Sequence, residues 1–174
     1  MRKVVLLLIV IAVVVGLYEL AHRQIAAKGG PPGAVGTTAA PVALTDIDGK
    51  PLTLASHNGK VVLLDFWATW CAPCLAEIPH FIEFQDKYGP QGFQVIGVSM
   101  DDPPDPVQPF YQQHKMNYPV AIATPQLAES YGGVLGGLPV TFLIDREGRI
   151  AAKYRGQTDA GIIQQKLEQL LAQK

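Results

Sequence analysis

Two cysteines occur in the 174-residue chain, Cys71 and Cys74, with Ala72 and Pro73 between them. An apolar run, Val61 to Phe66, precedes the pair and reads as a strand buried on both faces. From Pro73 onward Leu75, Ile78, Phe81 and Ile82 recur at helical spacing. The cysteines therefore fall at the first turn of a helix, where the missing N–H of Pro73 costs nothing. Positions i and i+3 in such a turn lie about 5–6 Å apart, within the span a disulfide bridges. Cys71 sits at the helix N-terminus, where free N–H groups and the macrodipole favour an anion. Its thiol is expected to ionise below the free value of about 8.5. Cys74, one turn in, is expected to be more buried and less reactive. The chemistry open to such a pair is exchange: Cys71 attacks a disulfide, and Cys74 then attacks the Cys71 sulfur and releases the other chain reduced, or the same steps run in reverse.

Two acids stand near enough in sequence to serve these thiols. Asp65 interrupts the apolar run six residues before Cys71. An acid there is costly unless paired or protonated, and a raised pKa would let it accept the Cys74 proton. The plainer reading is an acid bonded to nearby backbone or Lys60. Glu77 follows Cys74 by three residues, so it can face the same side of the helix; alternatively it is a solvated first-turn acid. Trp67 reads as core, and Trp70 either as core or as the wall of a substrate groove. His57, His80 and His114 form no metal-ligand pair with the cysteines, so neither a zinc site nor any cofactor is expected. His80 reads as a surface residue, and Asp101-Asp102 before Pro103-Pro104 as a solvated loop.

The elements that must hold this site alternate between strand and helix. Residues 42–55 read as a hairpin turning at Asp48-Gly49. The strand before Cys71 and its helix come next, the helix ending at Tyr88-Gly89-Pro90. Phe93 to Met100 forms a second central strand, Val107 to His114 a helix, Tyr118 to Ala123 a short strand and Pro125 to Tyr131 a short helix. A glycine-rich approach leads to a strand at Val140 to Ile144, then one at Arg149 to Tyr154. A last amphipathic helix, capped by Thr158 or Asp159, runs to Leu171. This order implies an α/β domain with a mixed central sheet over residues 41–174.

Residues 1–21 differ in kind. Arg2 and Lys3 precede an apolar run from Val4 to Leu17, and about 18 helical residues span about 27 Å, close to the bilayer core. An uncleaved transmembrane signal-anchor is the preferred reading over a cleaved signal peptide, since no small-x-small site follows. The flanking charges put the domain outside the cytoplasm, although Arg23 and Lys28 oppose that tendency. Residues 22–40, rich in Gly and Pro, read as a flexible linker. Residues 41–174 carry ten Lys and Arg against fourteen acids, with no basic patch, which excludes nucleic acid as a partner.

The segment Asp65-Phe66-Trp67-Ala68-Thr69-Trp70-Cys71-Ala72-Pro73-Cys74 resembles the active-site segment of thioredoxins, and Leu138-Pro139-Val140-Thr141 resembles their cis-proline loop. The nearer match is the membrane-anchored, extracytoplasmic reductase type called TlpA/ResA. It shares the anchor, an extra strand–helix unit (here about residues 101–123) and a Glu three residues after the second cysteine. The resemblance covers roughly residues 41–172. It implies a thioredoxin fold with helices flanking the sheet, a catalytic Cys71–Cys74 disulfide, a cis Pro139 beside Cys71, and Leu138 main-chain groups open to a substrate strand. Trp70 and Pro73 would flank the same substrate. It further implies a thiol–disulfide oxidoreductase on the periplasmic side of the inner membrane, a transmembrane thiol electron donor, and disulfide-bearing substrate proteins, apocytochrome c among them. Ala-Pro replaces the usual Gly-Pro between the cysteines, and Asp65 and Glu77 occur together, so the sequence leaves open which acid takes the proton. Two other functions compete. A peroxiredoxin-like thiol peroxidase would place a proline and a hydroxyl where Leu64 and Ala68 stand; a tethered docking module would not need the thiols.

Overall fold

The computed structural model describes residues 31–173. The anchor expected over 1–21, and the linker up to residue 30, lie outside the described residues. Among the described residues no helix is long and apolar enough to cross a membrane.

Strands β1 (Ala43–Thr45) and β2 (Pro51–Thr53) form a small antiparallel sheet. The Asp46 carboxylate organises their connection by accepting the Asp48 and Lys50 N–H groups at 3.0 and 2.7 Å. Then follow β3 (Val61–Trp67), α1 (Ala72–Tyr88), β4 (Phe93–Ser99), α2 (Val107–Gln113), β5 (Val120–Ile122), α3 (Pro125–Ser130), β6 (Val140–Ile144), β7 (Ile150–Arg155) and α4 (Ala160–Ala172). The main sheet has the order β5-β4-β3-β6-β7. Strands β3, β4 and β5 run parallel, and β6 and β7 are antiparallel to their neighbours. This is the thioredoxin-like α/β arrangement with a mixed sheet, and β3 is its middle strand, buried at every position.

Alternation along β3 divides the core into two layers. Val61, Leu63 and Trp67 pack with Cys74, Ile78 and Phe81 of α1 and with Ile163 and Leu167 of α4. Val62, Leu64 and Phe66 pack on the other face with Leu127, Tyr131 and Val42. Every second residue of β3 thus looks toward the helix that begins at the cysteines. Helix α1 contains Pro79, which withholds one main-chain hydrogen bond from its middle. The helix survives because Ile78, Phe81, Phe84 and Tyr88 bury its inner face. Asp159 caps α4 by accepting the Gly161 N–H at 2.8 Å.

The packed unit begins at Pro32, so residues 32–40 are held with it. The Gly36 N–H donates to Ile150 O at 2.8 Å, and the Ile150 N–H to Thr37 O at 2.9 Å. Ala39 is buried and its N–H reaches Gly148 O at 2.9 Å. These contacts run through main-chain groups, so side-chain periodicity could not reveal them. Gly33 makes the approach possible: at φ +70°, a Cβ there would stand 2.4 Å from Tyr131 O. Gly33→Ala is therefore expected to lower unfolding free energy by about 2 kcal/mol. Denaturant titration checks this, and an unchanged midpoint would mean that residues 32–40 are not held in this way.

Candidate active site

Strand β3 hands the chain to α1 through one tight turn. The Cys71 N–H donates to Ala68 O at 3.1 Å, leaving Thr69 and Trp70 as the corners. Cys71 is the N-cap of α1: its Sγ accepts the Cys74 N–H at 3.3 Å. Pro73 lies within the first turn, where it withdraws no hydrogen bond. Cys71 and Cys74 form a disulfide with a Cα separation of 5.3 Å. The order of burial is the expected one, with Cys71 at 5% exposure and Cys74 at 1%. Trp67 is fully buried, whereas Trp70 stands 69% exposed beside the pair.

Asp65 lies on the α1 side of the sheet, in register with Gly97 of β4 and Thr141 of β6. Its partner is Thr141, whose hydroxyl donates to Oδ1 at 3.1 Å, and not Lys60. Gly97 leaves room for this layer: a Cβ there would come within 3.1 Å of the Trp67 indole nitrogen. Asp65 is buried to 2% exposure. Burial raises its pKa, the negative charge of Glu77 raises it further, and the Thr141 bond opposes both; the result is pushed up to about 8. That lies close to a free thiol's value, so a proton can pass between a thiol and this carboxylate with little driving force either way.

Glu77 is not the solvated acid of the plainer reading. It is buried, and Oε1 accepts the Thr158 N–H at 2.7 Å while Oε2 has no partner among the described residues. Desolvation raises its pKa, with the Thr158 bond and nearby His80 pulling the other way. A cavity of about 310 Å³, lined by Glu77, His80, Thr158 and Asp159, opens beside it. His80 itself is exposed, as expected. Asp159, not Thr158, caps α4, and the Thr158 hydroxyl donates instead to Gly156 O at 3.2 Å.

The Leu138–Pro139 peptide is cis. Pro139 is buried and its carbonyl accepts the Gly156 N–H at 2.9 Å, while half-buried Leu138 packs against the core cluster that contains both cysteines. One group was missed from sequence. Asp101 is 4% exposed, not solvated, and its carboxylate accepts the N–H and hydroxyl of Thr69 and the Ser99 hydroxyl. Its position at the end of a buried strand was the available clue. Leu64 and Ala68, where a peroxidase pattern wants proline and a hydroxyl, are fully buried apolar residues. Among the described residues no group of His, Cys, Asp or Glu could hold a metal.

A redox disulfide capping the helix that leaves the middle strand, with a cis-proline loop on the neighbouring strand, defines a thioredoxin-like thiol–disulfide oxidoreductase. Residues 35–153 match the AhpC/TSA family, and the chain belongs to that thioredoxin-like family. It is 34% identical to the thiol-disulfide oxidoreductase ResA of Geobacillus thermodenitrificans over 171 residues, covering 98% of this chain and 94% of the relative. The ResA of Bacillus anthracis is 36% identical over 124 residues, 71% of this chain and 70% of the relative. A thiol:disulfide interchange protein of the thioredoxin family from Chlorobium tepidum TLS superposes with a TM-score of 0.72 at 30% identity. That match covers 80% of this chain and 99% of the other.

Raised acids make stability depend on pH with a definite sign. Between its unfolded value near 3.8 and its folded value near 8, Asp65 binds more proton in the folded state. Stability is therefore lost as pH rises through that window. Asp65→Asn is expected to be more stable than the parent at pH 8.5, by a few kcal/mol on the order set by the shift, and the advantage shrinks toward pH 4. Urea unfolding across this range measures it; a gap independent of pH would rule out the raised carboxyl.

Proposed function

We propose that the chain is a membrane-anchored reductase of protein disulfides, working outside the cytoplasm. The observation that carries the chemistry is Cys71 as the sulfur cap of α1. In the reduced protein the Cys71 thiolate attacks one sulfur of a substrate disulfide, forming a mixed disulfide and expelling the other substrate sulfur as a thiolate. Cys74 gives its proton to Asp65 and attacks the Cys71 sulfur. The Cys71–Cys74 bond forms, the mixed disulfide breaks, and the substrate leaves with both sulfurs reduced. Asp65 suits this step through its burial beneath α1 and its pKa near 8. Glu77, whose charge raises Asp65 and whose free oxygen is buried, tunes the acceptor.

Substrate would lie along the cleft between Trp70 with Pro73 on one side and Leu138 with Pro139 on the other. The Leu138 N–H and C=O would then pair with an extended substrate segment, strand to strand. The apolar, basic-headed residues 1–21 support an uncleaved anchor with the domain on the periplasmic side of the inner membrane. A dithiol kept reduced in that oxidising compartment needs a transmembrane thiol donor. The likeness to the ResA relatives supports a substrate of the apocytochrome c class before haem attachment.

The test is trapping. Cys74→Ala in the full-length chain is expected to accumulate mixed disulfides through Cys71, and mass spectrometry of the membrane fraction identifies the partner. Adducts absent from Cys74→Ala, or persisting in Cys71→Ser, would defeat the assignment of the attacking sulfur. In intact cells a membrane-impermeant maleimide is expected to label Cys71 of Cys74→Ala; labelling only after lysis would put the domain inside. A midpoint potential above about −150 mV would make the protein an oxidant instead.

A further inference from the structure

We infer that Asp101 is a positioning residue for exchange at Cys71, because its carboxylate fastens the Thr69 corner of the turn that carries Trp70 and Cys71. The inference rests on Cys71 being the attacking sulfur. The turn from Ala68 to Cys71 has a single internal bond, the Cys71 N–H to Ala68 O. Of its two corners, Trp70 projects into solvent, and Thr69 gives both of its donors to Asp101. The Thr69 N–H reaches Asp101 Oδ2 at 2.9 Å, and its hydroxyl reaches Oδ1.

Asp101 is itself fixed from the sheet. The Ser99 hydroxyl, at the end of β4, donates to Oδ2 at 2.6 Å, and the Asp101 N–H donates back to Ser99 Oγ at 3.1 Å. Ser99 lies in register with Trp67, and the Met100 N–H donates to Trp67 O at 2.7 Å. The ends of two central strands thereby meet at one buried carboxylate. Among the described residues it has no Lys, Arg or His partner; the three ion pairs lie elsewhere. A buried carboxylate whose partners are the turn and a strand end serves as a fastener, not as half of a salt bridge.

What it fastens is the approach to the sulfur. In-line attack needs the nucleophile held in a narrow range of positions, and small misplacements cost large factors in rate. Thr69 stands two residues before Cys71, and Trp70 flanks the path a polypeptide disulfide must take.

An uncharged side chain of the same shape separates position from charge. In Asp101→Asn the amide oxygen can accept the Thr69 N–H and the Ser99 hydroxyl, while the amide NH2 donates to Thr69 Oγ1. Asp101→Ala removes the whole fastening. With the reduced full-length chain, rates would be measured toward oxidised glutathione and toward a synthetic peptide holding one disulfide. Asp101→Ala is expected to slow peptide reduction about tenfold, and Asp101→Asn to stay within about twofold of the parent. Thr69→Val, which keeps the N–H and loses the hydroxyl, is expected to fall between them.

The rate of Cys71 alkylation against pH is read in parallel. If Asn and Ala displace that profile equally and slow the peptide equally, charge and not position is at work, and the inference is overturned. It is also overturned if Ala matches an active parent. Should Asp101→Ala not fold, Thr69→Val decides: slowed peptide reduction at an unchanged melting temperature supports the fastening, and parental rates refute it. A parent inert toward both disulfides would instead defeat the exchange reading on which the inference rests.

Discussion

A helix that starts directly off a buried strand must find acceptors for its first amide groups, and here sulfur is one of them. The Cys71 Sγ accepts the Cys74 N–H, Pro73 has no N–H to satisfy, and the Cys71 carbonyl takes the Leu75 N–H at 3.1 Å. This end of α1 presents the positive pole of its dipole to the same atom. A thiolate at that position gains from both effects, and a neutral thiol gains little from either. Capping, a structural requirement of the fold, thus sets the chemistry of the site, and the arrangement needs β3 to end where it does.

The buried acids work in the opposite direction. Asp65 has one hydroxyl as its side-chain partner, and Glu77 leaves one oxygen without any among the described residues. A core built only for stability would place apolar residues at both positions. The two carboxyls also repel one another, so ionising one makes the other harder to ionise. The outcome is a buried carboxyl on the inner side of α1 whose pKa, about 8, lies near that of a free thiol, at a cost in folding free energy that the flanking layers offset. Those layers are continuous: Leu63 and Trp67 adjoin Asp65 along β3, and Ile78 and Phe81 cover them from α1.

The parts legible in the sequence were those with a local pattern. The apolar run of β3, broken only at Asp65, and the helical recurrence of Ile78 and Phe81 located the strand–helix junction, and with it the cysteine pair. The hairpin at Asp48-Gly49 was legible from turn chemistry. What escaped notice depends on partners far along the chain. Asp101 meets Thr69 across 32 residues, and Glu77 meets Thr158 across 81. Neither contact leaves a periodic trace, so Asp101 reads from sequence as a solvated loop residue, while Glu77 is a candidate only through its spacing from Cys74, with a solvated alternative beside it. Residues 36–39 escaped for a different reason. They bond through main-chain groups to residues 148–150, and Gly and Pro, which suggest a tether by composition, here serve turns and close approaches.

These features together bear on how the site changes redox state. In the disulfide form the Cys71 sulfur already accepts the Cys74 N–H, and a Cys71 thiolate is a stronger acceptor in the same place. The helix start therefore keeps its cap on both sides of the exchange, and opening the ring does not require α1 to be rebuilt. The charge that appears on Cys71 meets the helix N-terminus, and a buried carboxyl with a raised pKa, Asp65, lies on the inner side of the same helix. Sulfur and carboxyl thus lie at different places on α1: Cys71 at its N-terminal end, next to Trp70, and Asp65 in the layer between helix and sheet. Of the two sulfurs, Cys71 belongs to the less buried residue, at 5% exposure against 1% for Cys74.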